Sequence, residues 1–190
     1  PILQPGPYDG GRFPNDHIAD LMQFVPITFI ESPSDCPTAG TVADLLNNIS
    51  KILGSDVRLQ VISEQVIDNL VDAAIARPIR VEDVSNEILE IGTIGGTAQG
   101  ELGMAVKKSG RTTGFTTGEI LQVDVSANVQ YGQNQIARFT DQLMAGPMSQ
   151  GGDSGSAVLD EKNQLVGLLF AGSDQSTIIN RIENVFSALG

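Results

Sequence analysis

The sequence predicts a mainly β protein that also contains two helices. After residue 113, short alternating runs of apolar and polar residues are separated by turn-forming glycines, at 114, 118, 132, 146, 155, 167 and 172. One segment, 37–53, instead repeats its apolar residues three and four positions apart, as helices do, and a second helix is expected at the end of the chain. With 190 residues, 41% of them hydrophobic, the chain can bury one large or two small cores.

The elements follow in order along the chain. Residues 1–16, rich in proline and glycine, predict an irregular lead-in before a strand at 21–30. A helix over 37–53 begins at Thr38 or Thr41 and ends before Gly54, and its apolar stripe predicts a packing face. Strands are expected at 57–63 and 71–76, then a linker from Pro78 to Gly100. Short strands follow, and a helix over 179–189 closes the chain.

The stretch Gly152-Asp153-Ser154-Gly155 is the strongest chemical signal. A serine on a tight glycine turn can act as a nucleophile, and the backbone N–H groups of Gly152 and Ser154 can stabilise the resulting oxyanion. Ser154 is therefore the predicted nucleophile. The alternative is an ordinary Gly/Ser turn between two strands. A serine esterase fits less well, because Ser156 stands where its Gly-x-Ser-x-Gly motif ends in glycine.

A second segment, Ser109-Gly110-Arg111-Thr112-Thr113-Gly114, has the glycines and threonines of a hairpin. Together with Gly152-Asp153-Ser154-Gly155, it resembles the bacterial trypsin-like serine proteases of the chymotrypsin fold. The resemblance implies two six-stranded β-barrels, the first incomplete here and carrying the helical insertion within residues 1–92. The second, over 93–190, would carry the nucleophile and the C-terminal helix. Motifs support the resemblance over about residues 55–190 and only loosely over 1–54.

The resemblance also nominates Asp72, in Asn69-Leu70-Val71-Asp72-Ala73-Ala74-Ile75-Ala76, as the carboxylate that orients a catalytic histidine. A carboxylate inside an apolar strand needs a partner when it is buried. The alternative is a helix over residues 63–77 that places Asp72 on its solvent-exposed face.

His17 is the only histidine of the sequence, and the order His17, Asp72, Ser154 matches that of the family. We nevertheless do not assign it as the general base. The family places its histidine after two strands, whereas prolines and glycines fill residues 1–16 and leave no room for them. We expect a C-terminal part of a longer, processed or truncated polypeptide, with the histidine-bearing strands elsewhere and little activity in this part alone. Self-processing before Pro1 and retention of an N-terminal fragment as a partner are part of this expectation.

By the same resemblance, the substrate pocket lies beside Ser154 and includes Met148, Phe170, Ala171 and Gly172. The strand 170–172 would pair with the substrate backbone. No acidic residue stands at the expected pocket floor, although Asp174 is near in sequence. We therefore expect a small or apolar side chain to be preferred over Lys or Arg. Asp153 is expected to cap a local turn or to shape the oxyanion loop.

Composition limits the remaining possibilities. A net charge of −12 argues against binding to nucleic acid or anionic membranes, and no apolar run is long enough to span a bilayer. No cofactor or metal is expected, because the sequence has neither metal-ligand spacing nor a phosphate-binding loop. Cys36 has no cysteine with which to form an internal bridge, and its acidic setting makes it a poor nucleophile.

The sequence thus predicts a serine endopeptidase acting on peptides or proteins through Ser154, in a bacterial protein that is either secreted or cytoplasmic. The alternative function is a non-catalytic, protease-like domain that binds peptides or proteins. A histidine-bearing strand elsewhere in the polypeptide would favour the enzyme.

Overall fold

The structure is a computed structural model that describes residues 1–33, 41–42, 44–47, 62–64, 67–132 and 135–190. In these ranges, the helical segments are residues 41–42 and 44–47, the 3-10 turns Pro7–Asp9 and Val81–Asp83, and a C-terminal α-helix, Ile182–Leu189. The strands are β1 Ile2–Leu3, β2 His17–Phe24, β3 Glu31–Pro33, β4 Ile62–Glu64, β5 Asp68–Asn69, β6 Ala74–Pro78, β7 Glu87–Ile88, β8 Gly92–Thr93, β9 Gly96–Thr97, β10 Ala105–Gly110, β11 Gly114–Tyr131, β12 Gln135–Ala145, β13 Ala157–Asp160, β14 Gln164–Gly172 and β15 Thr177–Arg181.

Six strands form a closed ring. Their order is β11, β10, β13, β14, β15 and β12, and β12 pairs again with β11. Alternate residues of these strands point inward, so closure buries one face of each strand. The resulting core comprises Val106, Ile120, Leu143, Ala145, Met148, Val158, Val166, Leu169 and Ile179. The prediction of a β-rich barrel followed by a C-terminal helix is confirmed.

A second sheet, β1-β2-β6, has three strands among the described residues. In the β2–β6 pair, Ala19 lies opposite Pro78 and Phe24 lies opposite Ala74. Most residues of both strands are exposed, including the large apolar side chains of Leu21, Met22 and Phe24. This sheet is therefore not closed into a barrel by the described residues.

The chain divides into two compact units. One comprises Pro1–Ile27, Asn69–Ala127 and Phe139–Gly190, and it contains both the β1-β2-β6 sheet and the core of the six-stranded ring. The other comprises Thr28–Asp68 and Asn128–Arg138. Within it, the Ile30 N–H donates to the Ile136 carbonyl at 2.7 Å, and the rings of Phe29 and Tyr131 lie 5.6 Å apart. The predicted boundary between the two barrels at residues 92 and 93 stays a prediction.

Several element bounds differ from the prediction. The C-terminal helix begins at Ile182 and not at 179, because residues 177–181 form β15 and pair with β14. The strand expected at 21–30 runs from His17 to Phe24, and the one expected at 71–76 runs from Ala74 to Pro78. The predicted lead-in contains β1. The predicted linker contains the 3-10 turn Val81–Asp83 and the short strands β7, β8 and β9. Pairing with neighbouring strands, which local pattern does not encode, decides these limits.

The predicted helix over 37–53 lies partly outside the described residues, but residues 41–42 and 44–47 are helical. Of its predicted packing stripe, Val42, Leu45 and Leu46 are described, and all three are exposed in the structure. The expectation that they pack is therefore not met, since periodicity defines an apolar face but not what covers it. Residues 57–61 of the next predicted strand and Cys36 also lie outside the described ranges.

Candidate active site

Ser154 lies on a turn whose backbone depends on glycine. Gly152 has φ +102° and Gly155 has φ +87°, conformations that residues with a side chain rarely adopt. The Asp153 N–H donates to the Gln150 carbonyl at 3.0 Å, and the Ser156 N–H donates to the Asp153 carbonyl at 3.0 Å. Two successive turns therefore project Ser154 from the barrel, where it is exposed to solvent.

The turn is attached to β14. The Gly155 N–H donates to the Leu169 carbonyl at 2.7 Å, and the Leu169 N–H donates to the Ser156 carbonyl at 3.0 Å. The Ser154 hydroxyl donates to the next carbonyl of that strand, that of Phe170, at 3.2 Å. In this arrangement the hydroxyl proton of Ser154 is held by a carbonyl oxygen and not by a nitrogen base.

Asp153 anchors the same turn from inside the protein. Its Oδ1 accepts the backbone N–H groups of Thr112 at 2.7 Å and Thr113 at 3.2 Å. Its Oδ2 accepts the Thr113 hydroxyl at 2.7 Å, the Gln150 N–H at 3.0 Å and the Lys108 ammonium at 3.2 Å. The carboxylate thereby joins the serine turn to the Thr112–Thr113 turn between β10 and β11.

The side chains of Asp153 and Lys108 are both fully buried. Burial raises the pKa of the Asp153 carboxyl, but the Gln150 N–H and then the donors of Thr113 and Thr112 lower it more, so the pKa lies below its ordinary value of 3.8. Asp153 is therefore an ionised, buried anchor. Gly110 permits its close approach, since a Cβ there would lie 2.5 Å from Asp153 Oδ1.

Asp72 is half-buried in an irregular segment between β5 and β6, so the alternative of a helix over residues 63–77 is wrong for the residues that are described there. Its backbone N–H donates to Asn180 Oδ1 at 3.2 Å, and its carbonyl accepts Asn180 Nδ2 at 2.9 Å. Asn180 in turn lies opposite Leu168 of β14. Leu168 precedes Phe170, the partner of the Ser154 hydroxyl, by two residues, or about 7 Å of strand. The Asp72 backbone is thus bonded to β15, the strand that pairs with β14, and its role beside Ser154 stays a prediction.

His17 is engaged elsewhere. Its Nε2 lies 3.0 Å from Asp20 Oδ1, and its ring lies 5.3 Å from that of Phe13. The imidazole lowers the pKa of the Asp20 carboxyl by hydrogen bonding. His17 begins β2, whereas Val25, just after the other end, bonds to the Ala73 carbonyl at 3.0 Å, beside Asp72. Positions 17 to 25 span about 25 Å of extended chain, so His17 and Asp72 lie at opposite ends of the β2–β6 pair.

The four predicted substrate-binding residues occupy different environments. Ala171 is half-buried and Gly172 is exposed at the end of β14, while the half-buried ring of Phe170 lies 4.8 Å from that of Phe139. The Met148 side chain is only 3% exposed and belongs to the barrel core. Any influence of Met148 on substrate would therefore be indirect. Binding by these residues stays a prediction.

Sequence reasoning missed Lys108 and Thr112. The signal for Lys108 was the alternation along β10, which places it on the same inward face as Val106. A buried lysine requires a carboxylate, and Asp153 was the acidic residue already singled out. Nothing local distinguished Thr112 from its neighbouring threonines, because its contacts to Asp153 and Gly151 come from a loop about 40 positions later.

No family model matches the chain, and no curated protein matches it. Solved structures of bacterial serine proteases do. Thermobifida fusca protease A is 23% identical, with a TM-score of 0.53, over 64% of this chain and 67% of that protein. A serine protease described as glutamic acid specific is 27% identical, with a TM-score of 0.50, over 64% and 67%. A Cellulomonas bogoriensis chymotrypsin is 26% identical, with a TM-score of 0.45, over 52% and 53%, so the chain spans about half of that protein.

The chain therefore has the chymotrypsin-like fold. Among the described ranges, no group of three or more His, Cys, Asp or Glu residues could hold a metal ion. None of the helices in the same ranges has the length and apolar character needed to cross a membrane.

Proposed function

We propose that this chain is the nucleophile-bearing part of a serine endopeptidase. The observation that carries the proposal is the turn Gly152–Gly155, which presents Ser154 to solvent while Asp153 is locked beneath it by five hydrogen bonds. Within the described residues, the N–H groups of Gly152 and Ser154 donate to no protein atom. They are thus free to donate to an oxyanion.

The chemistry follows from this arrangement. Ser154 Oγ attacks the scissile carbonyl, a histidine accepts the hydroxyl proton, and collapse of the tetrahedral intermediate releases the amine with that proton. Water then hydrolyses the acyl-enzyme and restores the hydroxyl. Asp72 is the proposed partner of the histidine. Because His17 lies far from Asp72 along the sheet, the proposed base is a histidine outside these 190 residues.

The backbone of a bound substrate can pair with a free edge of β14. The β13 ladder covers β14 only as far as Leu168, and the serine turn covers Leu169. Ala171 and Gly172 pair with β15 on one side of β14. On the other side, no strand among the described residues pairs with them. An extended peptide can add to this free edge, as in other complexes in which a peptide extends a sheet.

The proposed side-chain preference beside this edge is for small or apolar groups, as the sequence led us to expect. The Ser149 and Thr177 hydroxyls lie 2.9 Å apart, and a Cβ on Gly172 would lie 3.2 Å from Ser149 Oγ. Asp174 is exposed, and no hydrogen bond described for this part of the chain joins it to either hydroxyl. Cleavage profiling with a peptide library tests the preference, and a dominant Lys or Arg signal would overturn it.

A non-catalytic peptide-binding domain is the second candidate. It is favoured by the bond between the Ser154 hydroxyl and the Phe170 carbonyl, which leaves the serine without a base. A fluorophosphonate probe separates the two functions when it is applied both to this chain and to the longest polypeptide encoded by its gene. The enzyme predicts adduct formation at Ser154 in the longer polypeptide and its loss in Ser154→Ala.

Three results would count against parts of this proposal. Absence of labelling in both folded samples would favour the binding domain. Labelling of the 190-residue chain that disappears in His17→Ala would show that His17 is the base. Labelling that persists in Asp72→Asn at an unchanged rate would remove Asp72 from the proposed mechanism.

A further inference from the structure

The direction of the Gly152 N–H depends on a single side chain. The Thr112 hydroxyl donates to the Gly151 carbonyl at 2.9 Å. The Gly151–Gly152 peptide is trans, so its C=O and N–H groups point in opposite directions within one plane. With the carbonyl directed at Thr112, the Gly152 N–H is directed away from Thr112.

Little else holds this peptide. Both of its residues are glycines, and a Cβ on Gly151 would meet nothing within 4 Å. Among the described residues, the bond from Thr112 is the one hydrogen bond made by this peptide unit. Rotation of the unit by about half a turn would exchange its two polar groups and place a carbonyl oxygen where an oxyanion needs a donor.

Thr112 is itself held from two sides. Its N–H donates to Asp153 Oδ1 at 2.7 Å, and Arg111 Nη1 approaches its hydroxyl oxygen at 3.4 Å. An oxygen that accepts from a guanidinium directs its own proton elsewhere, here to Gly151. Arg111 is fixed by two bonds to Asp9, one of them between Nε and Oδ2 at 3.1 Å, and by the Tyr8 ring 5.6 Å away.

We infer that Thr112 is a positioning residue for the oxyanion site. Its side chain holds the Gly152 N–H in the donating orientation, and Arg111 and Asp9 in turn hold Thr112 in place. This inference rests on the proposed serine-protease function. It adds a connection from the N-terminal turn Pro7–Asp9 to the reaction site through Asp9, Arg111, Thr112 and Gly151.

The test compares three substitutions in the polypeptide that reacts with fluorophosphonate. Thr112→Val and Thr112→Ala lose the hydroxyl donor but keep the N–H bond to Asp153, whereas Thr112→Ser keeps both. We expect Thr112→Val and Thr112→Ala to lower the maximal rate of phosphonylation by roughly three- to tenfold, which is the range set by the net free energy of one hydrogen bond. In these two variants, the probe concentration that gives the half-maximal rate should change little, and so should the urea midpoint. Thr112→Ser should react at the wild-type rate.

A second measurement reads the peptide directly in the folded 190-residue chain. With Gly151 labelled at its carbonyl carbon, NMR should show a chemical-shift change in Thr112→Val that Thr112→Ser does not share. Asp9→Asn should give a smaller change of the same sign, because it loosens Arg111 without removing the donor.

The outcomes separate the two proposals. If the wild-type polypeptide is not labelled at Ser154, the serine-protease function fails and the inference falls with it. If the wild type is labelled and Thr112→Val reacts equally fast, the inference alone is overturned. An unchanged Gly151 carbonyl shift in Thr112→Val would also overturn it, whatever the activity. A slower reaction accompanied by the carbonyl shift supports it.

Discussion

The buried pair of Asp153 and Lys108 is the residue-scale feature on which the serine turn depends. Moving two charged groups from water into the protein interior costs free energy. Here the cost is offset by five hydrogen bonds to the Asp153 carboxylate, and the Lys108 ammonium also donates to the Thr113 hydroxyl and the Gly114 carbonyl. Such a pair adds little stability compared with an apolar pair of the same size. Its effect is to define one position for the turn that carries Ser154.

Removing one member of this pair should therefore be far more harmful than removing both. We expect Asp153→Asn to lower the free energy of unfolding by about 3 to 5 kcal/mol, because it leaves the Lys108 ammonium buried without a counter-charge. The double variant Asp153→Asn with Lys108→Met should recover the part of that loss that comes from the unpaired ammonium. Urea unfolding curves measure both, and equal losses in the single and double variants would contradict the argument.

The same carboxylate should contribute to acid unfolding. The pKa of Asp153 in the folded state lies below its ordinary value of 3.8, so the unfolded chain binds the proton more readily. The stabilisation is therefore complete above 3.8 and is lost as the pH falls from there toward the lower folded-state pKa. Lys108 directly and Arg111 at longer range are the charges that act on Asp153.

Urea midpoints measured as the pH is lowered below 4 test this expectation. The wild type should lose stability more steeply than the Asp153→Asn, Lys108→Met double variant, which serves as the control because it lacks both charges. Identical slopes for the two proteins would show that other carboxylates account for the acid transition.

At this scale the sequence predicted the glycine turn around Ser154, because a turn motif is local. It did not identify Lys108 or Thr112, whose roles arise from contacts with a loop far along the chain. The inward side chain of Met148 was missed for the same reason: Gly118, with a Cβ position 2.8 Å from Met148 Sδ, makes room for it from a different strand.

At the scale of elements, Arg181 joins three strands and the C-terminal helix. From the end of β15 it donates to Asp141 of β12 at 2.8 Å and to Asp124 of β11 at 2.7 Å. Asn184 of the helix also donates to Asp141, at 2.9 Å. Both aspartates have positive φ, 54° at Asp124 and 57° at Asp141, a conformation that asparagine also tolerates.

Asparagine substitutions can therefore test charge without straining the backbone. We expect Asp141→Asn to lower stability by about 1 kcal/mol, and the more exposed Asp124→Asn by about half of that or less. Urea unfolding at low and high salt measures the difference. If the two variants lost equal stability, the shared contact of Asp141 with Asn184 would have no energetic role.

Gly167 sits in the central strand β14, where the neighbouring strand leaves no room for a side chain. A Cβ there would lie 2.2 Å from the Asn180 carbonyl oxygen and 2.5 Å from Ile179 Cγ2. We expect Gly167→Ala to cost about 3 kcal/mol, because backbone must move to admit it. Gly6→Ala is the matched control: nothing lies within 4 Å of its Cβ position, and it should change stability by less than about 0.5 kcal/mol. Equal urea midpoints would contradict this packing.

Element types were more predictable than element ends. The alternation after residue 113 indicates strands, and the ring of strands confirms them. The start of the C-terminal helix was misplaced because the local pattern of residues 179–181 does not show their pairing with Gly167, Leu168 and Leu169, which makes them part of a strand. Short strands such as β7 and β8 were missed since two residues carry no periodicity.

At the scale of the molecule, the two sheets of the first unit differ in how they bury apolar side chains. The six-stranded ring encloses a core in which Ile120 and Leu143 are fully buried. The β1-β2-β6 sheet leaves Leu21, Met22 and Phe24 exposed, around the register shift between Leu21 and Gln23 in β2. Composition predicted enough apolar residues for one large or two small cores, but only the fold shows which strands share one.

Two phenylalanines, one in each sheet, test this difference. Phe139 is 0% exposed and Phe24 is 58% exposed. We expect Phe139→Ala to cost about 3 to 5 kcal/mol, as for other buried aromatic residues, and Phe24→Ala to cost less than about 1 kcal/mol. Phe24→Ala should also reduce binding of a hydrophobic dye, because it removes exposed apolar surface. If Phe24→Ala proved as costly as Phe139→Ala, some surface must cover β2 in solution, and a stability that rises with protein concentration would identify that surface as a second copy of the chain.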